Sequence, residues 1–396
     1  MNKRFSVLFI LLAFMLTACY SLQFNNKSAK AEGDNVLTVK SQCAYLVDSD
    51  SNTVIYAQNE NERRPIASMC KIMTLLLSFE AIDNGDLTLD STVVVSENAS
   101  NMGGSQVFLE SNAEYKVKDL IKSIVVASAN DASVAMAETV AGSEENFVAK
   151  MNERAKSLSM NDTVFVNCTG LPKAGQFSTA KDVSLMFKEL IKHKEYFLFS
   201  NIWMDEIEHP EGRKTEISNT NKLIRFYEGC DSGKTGYTSE AGHCVCCSAE
   251  RGGLRFVSVI IKAPDSKTRF KDASDMLNFG FNNYSNKTVL DNKPIDENVK
   301  VENGKKDYIS VSPESELKLL CKKGEKRSVE IEFEPIEKVV APVNKGDVIG
   351  KISVYENNVL IATVNAISDE DVESATFSDH IKSIIEDWNL ISIKNN

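Results

Sequence analysis

Apolar and polar positions along the chain change their spacing in ways that mark out its elements. Residues 43–48 and 53–57 are β-rich runs around Ser49-Asp50-Ser51-Asn52, the pattern of a hairpin. From Pro65 the chain becomes mostly apolar, through Ile66, Met69, Ile72, Met73 and Leu75-Leu76-Leu77, which predicts a helix ending near Asn84-Gly85. A short strand at 92–95, a glycine-rich loop at Gly103-Gly104-Ser105 and an apolar helix over 117–126 follow. Further helices are expected over 132–140, over 144–158 with Ser143 as cap, and over 179–193 with Ser178 as cap. Runs at 243–249 and 255–261, joined by Arg251-Gly252-Gly253, read as an antiparallel hairpin, and 272–281 as a closing helix. Helices gathered between leading and trailing strands predict an α/β (α+β) domain with a largely antiparallel sheet.

A composition shift over 282–293 reads as a linker. Beyond it, short alternating runs at 299–301, 308–311, 328–333, 351–355 and 359–364 predict a small all-β domain. Phe377, Ile381, Ile384, Ile385, Trp388 and Ile391 then recur at helical spacing. That amphipathic helix either lies on a membrane or packs on its own domain, and its acidic face (Asp379, Glu386, Asp387) gives anionic lipid little pull. The expected organisation is a first domain over 40–285, an all-β domain over 294–375 and an amphipathic helix over 376–396.

At the other end, Lys3 and Arg4 precede an apolar core over 7–16 that is too short to span a bilayer with ease, so residues 1–18 read as an export signal. Leu16-Thr17-Ala18-Cys19 resembles the lipobox of bacterial lipoproteins, in which the cysteine is lipidated. Cleavage after Ala29-Lys30-Ala31 is the alternative, and either places the protein outside the cytoplasm. Residues 19–39 are small and polar, a tether.

The composition, 396 residues with 42% hydrophobic and 26% charged, is that of an ordinary protein of two or three domains. A net charge of −11 argues against nucleic acid as a partner, and no Rossmann or Walker glycine pattern supports a nucleotide. Nine cysteines invite a metal reading at His243-Cys244-Val245-Cys246-Cys247. The paired spacing of structural zinc sites is missing, and on a strand Cys244 and Cys246 face one side while Cys247 faces the other. Buried thiols are expected, with no metal and no cofactor.

Three motifs remain that carry chemistry. Ser68 and Lys71 stand three residues apart and share one helix face, so an amine with a lowered pKa could take the serine's proton. The same spacing occurs at Ser178/Lys181, explained by a helix cap, and at Ser315/Lys318, beside Glu314 and Glu316 in the β domain. Ser128-x-Asn130 and the single Lys234-Thr235-Gly236 complete an ordered set within one domain. That set resembles the penicillin-recognising serine acyltransferases, and most closely the exported D-alanyl-D-alanine carboxypeptidases, the low-molecular-mass penicillin-binding proteins. The resemblance covers residues 40–375. It rests also on Gly103-Gly104-Ser105, Gly170-Leu171, Ser178-Thr179-Ala180 and the run from Tyr237 to Gly242. Cys70 departs from it, standing where that family more often has threonine.

The resemblance implies a penicillin-binding, transpeptidase-like fold and named roles. Ser68 is the nucleophile and Lys71 its base, made neutral by burial and by the neighbouring cation Lys234. Ser128 relays a proton toward the leaving amine and Asn130 holds the substrate amide. Lys234 and Thr235 bind the terminal carboxylate, Gly236 admits the substrate backbone to a strand edge, and the N–H groups of Ser68 and Tyr237 form an oxyanion hole. The implied partners are a peptidoglycan stem peptide and β-lactams as covalent inhibitors, with the membrane surface reached through the lipid at Cys19 or the C-terminal helix. A class A β-lactamase shares the motifs but needs a glutamate in a Glu-x-x-x-Asn context, which does not occur between Asn130 and Lys234. A Ser-His-Asp hydrolase lacks its nucleophile elbow here. A non-catalytic penicillin-binding sensor of the cell wall is the remaining alternative.

Overall fold

The structure, a computed structural model, describes residues 37–381; the leader with Cys19 and the amphipathic stretch from 382 onward lie outside the described residues. From Val39 to residue 381 the chain belongs to one compact unit. Its central sheet takes strands from both ends of the first domain. The hairpin β1 (Cys43–Asp48) and β2 (Val54–Gln58) opens the domain. Two short ribbons, β3 (Thr92–Val94) with β4 (Glu114–Lys116) and β5 (Met204–Glu208) with β6 (Lys214–Ser218), accompany the helical part. β7 (Cys230–Thr238), β8 (Gly242–Arg251) and β9 (Leu254–Ala263) close the sheet in the antiparallel order β2-β1-β9-β8-β7. β7, which carries Lys234-Thr235-Gly236, is therefore an edge strand.

The helix Lys71–Asp83 is the centre of the core. Ile72, Met73, Leu75, Leu76 and Phe79 are fully buried, as a helix that is apolar on nearly every face demands. Around it stand the helices Asn130–Ala141, Glu144–Ser157 and Ala180–Leu190. Ser143 caps the second as expected, its hydroxyl accepting the Asn146 N–H at 3.1 Å. The cap of the third is Thr179, whose hydroxyl accepts the Asp182 N–H at 3.0 Å, and Ser178 has a different task. Its backbone bridges Arg64 and its hydroxyl meets Thr163 Oγ1 at 2.8 Å, so the chain is still extended there. Two adjacent cap-forming residues left the boundary ambiguous.

The ribbon of β5 and β6 is absent from the periodicity because only Ile207 and Ile217 are buried among charged neighbours. The stretch expected as a linker also differs. The helix Ser266–Asn283 runs straight into β10 (Tyr284–Leu290). β10 in turn pairs with β13 (Leu317–Lys322), and its polar residues are tolerated because only Leu290 is buried, with Val289 packed against the same core. β11 (Asn298–Glu302), β12 (Tyr308–Pro313), β14 (Glu330–Pro335), β15 (Val339–Val340), β16 (Val348–Glu356) and β17 (Val359–Ser368) form a six-stranded sheet in the order β14-β16-β17-β12-β11-β15. It closes over Val301, Ile309, Val311 and Ile349. The second domain is thus all-β.

The eight cysteines of the described residues are buried and free. Cys244 and Cys246 enter the main core, whereas Cys247 lies against Cys230, so the thiols act as small hydrophobes. Among the described residues no group of His, Cys, Asp and Glu is arranged to hold a metal ion, and no helix is long and apolar enough to cross a membrane.

Candidate active site

Ser68 does not lie in the α-helix itself. Arg64 is tied to Ser178 by backbone hydrogen bonds of 2.8 and 2.9 Å, which keeps the entry extended past Pro65. The chain then makes a 3-10 turn over Ala67–Cys70 before the helix starts at Lys71. Ala67 takes φ of 48°, a left-handed conformation that costs a non-glycine residue about 1–3 kcal/mol. Two glycines make room for that turn. A Cβ on Gly170 would stand 2.0 Å from the Ala67 carbonyl oxygen, and one on Gly236 would stand 2.7 Å from the Ile66 oxygen and 3.0 Å from the Ser68 nitrogen. Glycine at 236 is thus needed by the nucleophile turn itself, in addition to any substrate.

The turn leaves Ser68 half-buried at the cleft and sends Lys71 fully inside. Lys71 Nζ lies 3.1 Å from Ser68 Oγ, 2.7 Å from Asn130 Oδ1 and 2.6 Å from the Thr169 carbonyl oxygen. No carboxylate is among these partners. Burial pulls the Lys71 pKa down from 10.5 to about 8, opposed weakly by Cys70, Cys168 and Asp131. The expected repulsion between Lys71 and Lys234 is mutual, and burial is the larger cause at both. The repulsion is felt at Lys234, which burial first, and then Lys71 and Arg269, press well below its usual value.

A π-helical turn over Ser123–Ala127 delivers Ser128 in a left-handed conformation, φ 62° and ψ 32°. Its hydroxyl accepts from Lys234 Nζ at 2.7 Å, and the same ammonium reaches the Thr235 carbonyl at 3.1 Å. Asn130 opens its helix with both ends of its amide engaged: Oδ1 holds Lys71, and Nδ2 donates to the Gly103 carbonyl at 2.6 Å. Thr235 and Gly236 are buried, whereas Tyr237 is exposed and stacks on His243 with ring centres 4.4 Å apart. Ser68, Lys71 and Asn130 thus form one hydrogen-bonded group and Ser128 and Lys234 a second, with the charge of Lys71 felt at Lys234 and with Thr235, Gly236 and Tyr237 on the strand beside them.

Several supporting groups have no motif to announce them. Asn167 Oδ1 accepts the Gly170 N–H at 2.7 Å and the Thr169 N–H at 3.2 Å, and its Nδ2 donates to the Leu171 carbonyl at 2.9 Å. This brace aims the Thr169 carbonyl at Lys71. Buried Asp131 gathers the N–H groups of Val107, Leu109 and Ala132, with burial raising its pKa. Arg269 donates to the carbonyls of Gly236 and Cys244, both at 3.2 Å, fixing β7 from behind. Cys70 faces away from the cleft, 3.2 Å from the Asn167 carbonyl, and burial pushes its thiol up to about 12, so it does not compete with Ser68 as a nucleophile.

Models of known families match most of this chain. The D-alanyl-D-alanine carboxypeptidase model covers residues 26–265, and a model of the penicillin-binding protein 5 C-terminal domain covers residues 284–374. The chain belongs to the D-alanyl-D-alanine carboxypeptidase family. By family it is a serine-type carboxypeptidase, a hydrolase. It is 37% identical over 380 residues to the D-alanyl-D-alanine carboxypeptidase DacF of Bacillus subtilis (strain 168), covering 96% of this chain and 97% of that one. Penicillin-binding protein 5 from Haemophilus influenzae has a similar structure, with a TM-score of 0.67 at 27% identity over 86% of this chain and 100% of that one. Penicillin-binding protein D2 from Listeria monocytogenes, solved in an ampicillin-bound form, matches at 32% identity and a TM-score of 0.53 over 62% of this chain and 98% of that one.

The packing around Ala67 makes one clear prediction. Gly170→Ala should slow acylation by a fluorescent penicillin about 100-fold by displacing the Ser68 turn. Gly85→Ala is the control: its φ of 79° is similar but its Cβ meets nothing within 4 Å, so the folded variant should acylate at the normal rate. Equal rates in the two variants would refute the clamp.

Proposed function

We propose that the chain removes the terminal D-alanine from peptidoglycan pentapeptide stems through an acyl-enzyme on Ser68. The arrangement around Lys71 carries this reading. A neutral lysine has two N–H bonds and one lone pair, and it has two carbonyl-type acceptors, Asn130 Oδ1 and the Thr169 oxygen, for the former. The lone pair is then left for the Ser68 hydroxyl at 3.1 Å. As Ser68 Oγ bonds to the scissile carbonyl carbon, its proton passes to Lys71 Nζ. When the C–N bond breaks, Ser128 gives its hydroxyl proton to the departing D-alanine amine and takes one from Lys234 Nζ, 2.7 Å away. Water then cleaves the ester, releasing the shortened stem and restoring Ser68.

Lys234 and Thr235 bind the substrate's terminal carboxylate, which restores full charge to an ammonium that burial disfavours. Asn130 keeps one Nδ2 hydrogen for the acyl-side amide after donating the other to Gly103. Backbone N–H groups of Ser68 and Tyr237 receive the oxyanion. β-Lactams acylate the same serine, a reading supported by the ampicillin-bound relative. The absence of a carboxylate among the partners of Ser68 and Lys71 favours a lasting penicillin adduct over β-lactamase turnover.

The work takes place outside the cytoplasm, at the cell wall. Residues 1–18 are the export signal, Cys19 carries lipid, and the amphipathic sequence over 376–396 adds membrane contact. Mass spectrometry of the mature protein is expected to show a diacylated Cys19 at the N-terminus; an unmodified chain beginning at Glu32 would assign cleavage to the later site.

Ser68→Ala should abolish both D-alanine release from a D-Ala-D-Ala pentapeptide and covalent labelling by penicillin; labelling that survived would place the nucleophile elsewhere. The acylation rate should rise with pH and level off above about 8, because Lys71 acts in its neutral form and its lowered pKa puts the change there. A flat profile between pH 6 and 10 would remove Lys71 from the role of base.

A further inference from the structure

A groove of about 520 Å³ lies between the short helix Leu223–Phe226 and the exposed face of the helix Ser266–Asn283. Leu223, Phe226 and Phe270 supply apolar surface, Lys222, Lys267 and Lys271 surround it, and no acidic residue lines it. In a protein of net charge −11 that is a local reversal of sign. Lys271 is held by Asp275, but Lys222 and Lys267 have no salt bridge among the described residues. Phe226 is 71% exposed, standing edge-on to Trp203 with centroids 5.8 Å apart and Arg225 over both rings. These contacts leave most of the Phe226 ring open to solvent.

The groove shares its supports with the catalytic cleft. Lys222 follows Asn221, in a loop whose Thr220 N–H bonds to the Val126 carbonyl two residues before Ser128. Lys267 stands two residues before Arg269, which holds the Gly236 carbonyl. These contacts tie the two ends of the groove to the backbone that carries Ser128 and Gly236.

We propose that the groove is a secondary binding site for the peptidoglycan polymer, taking a glycan segment or neighbouring stem outside the cleft. The inference rests on the carboxypeptidase reading above. Its basis is complementarity. Aromatic rings fit the apolar faces of sugar rings, and unpaired ammonium groups fit the free carboxylates that stem peptides carry. The site holds the polymer while the cleft selects the terminal D-alanine.

The full-length protein is sedimented with insoluble sacculi, and D-alanine release is followed on sacculi bearing pentapeptide stems and on a soluble N-acyl tripeptide ending in D-Ala-D-Ala. Lys222→Glu combined with Lys267→Glu, and separately Phe226→Ala, should weaken co-sedimentation and raise the apparent KM on sacculi about fivefold, as expected from losing two surface charge contacts or one aromatic contact. The tripeptide kcat and KM should stay unchanged. Unaltered behaviour on sacculi, or equal losses on both substrates, overturns the inference. So does wild-type binding to phosphatidylglycerol vesicles, in place of sacculi, that the same substitutions abolish. A wild type that binds sacculi through these residues but releases D-alanine from neither substrate keeps the groove and refutes the carboxypeptidase reading instead.

Discussion

One desolvated ammonium governs this active site. Taking a lysine out of water is costly, and an adjacent carboxylate would compensate by fixing the positive charge. Lys71 is given neutral oxygens instead: a hydroxyl, a side-chain amide and a backbone carbonyl. These satisfy its hydrogen bonds without raising its pKa, which burial brings down to about 8. The result is an amine that surrenders its proton near neutrality and sits against a serine. Each oxygen comes from a different part of the chain, so this environment of Lys71 exists only while the 3-10 turn, the Asn130 helix and the Asn167–Leu171 loop are packed together.

That packing depends on backbones approaching more closely than side chains permit. Gly170 and Gly236 flank the left-handed Ala67, and Ser128 is held left-handed at the end of a π-helical turn. Strain of this kind persists only where the surroundings determine the conformation. Here the fully buried Lys71–Asp83 helix supplies one wall and the edge strand β7, fixed by Arg269, supplies the other. Ser68, next to Ala67, and Ser128 thus stand at strained backbone at the rim of the core. An edge strand also leaves one flank of β7 unpaired, and an extended peptide can lie along it.

Periodicity disclosed much of the fold. The first hairpin, the apolar central helix, the Ser143 cap and the closing strands are local patterns, readable because each segment repeats one burial rhythm. It failed where few residues face a core. β5 and β6 bury one isoleucine each, and β10 buries only Leu290, so polar runs were read as loop and linker. The choice between Ser178 and Thr179 as cap was decided by a distant partner, Arg64.

Read alone, the sequence singles out the candidate reactive residues. Serine, lysine and asparagine at fixed spacing, in a fixed order and with few competitors, define chemistry before any coordinates are known. It could not determine what surrounds them. The Thr169 carbonyl, the Asn167 brace and the Asp131 and Arg269 contacts involve backbone atoms or common residue types that carry no spacing signal. Nor could it set how far the pKa of Lys71 falls, because burial, expected beside the cation Lys234, is the larger cause. Burial is set by the whole core closing over one side chain, a property of tertiary packing that no local pattern contains.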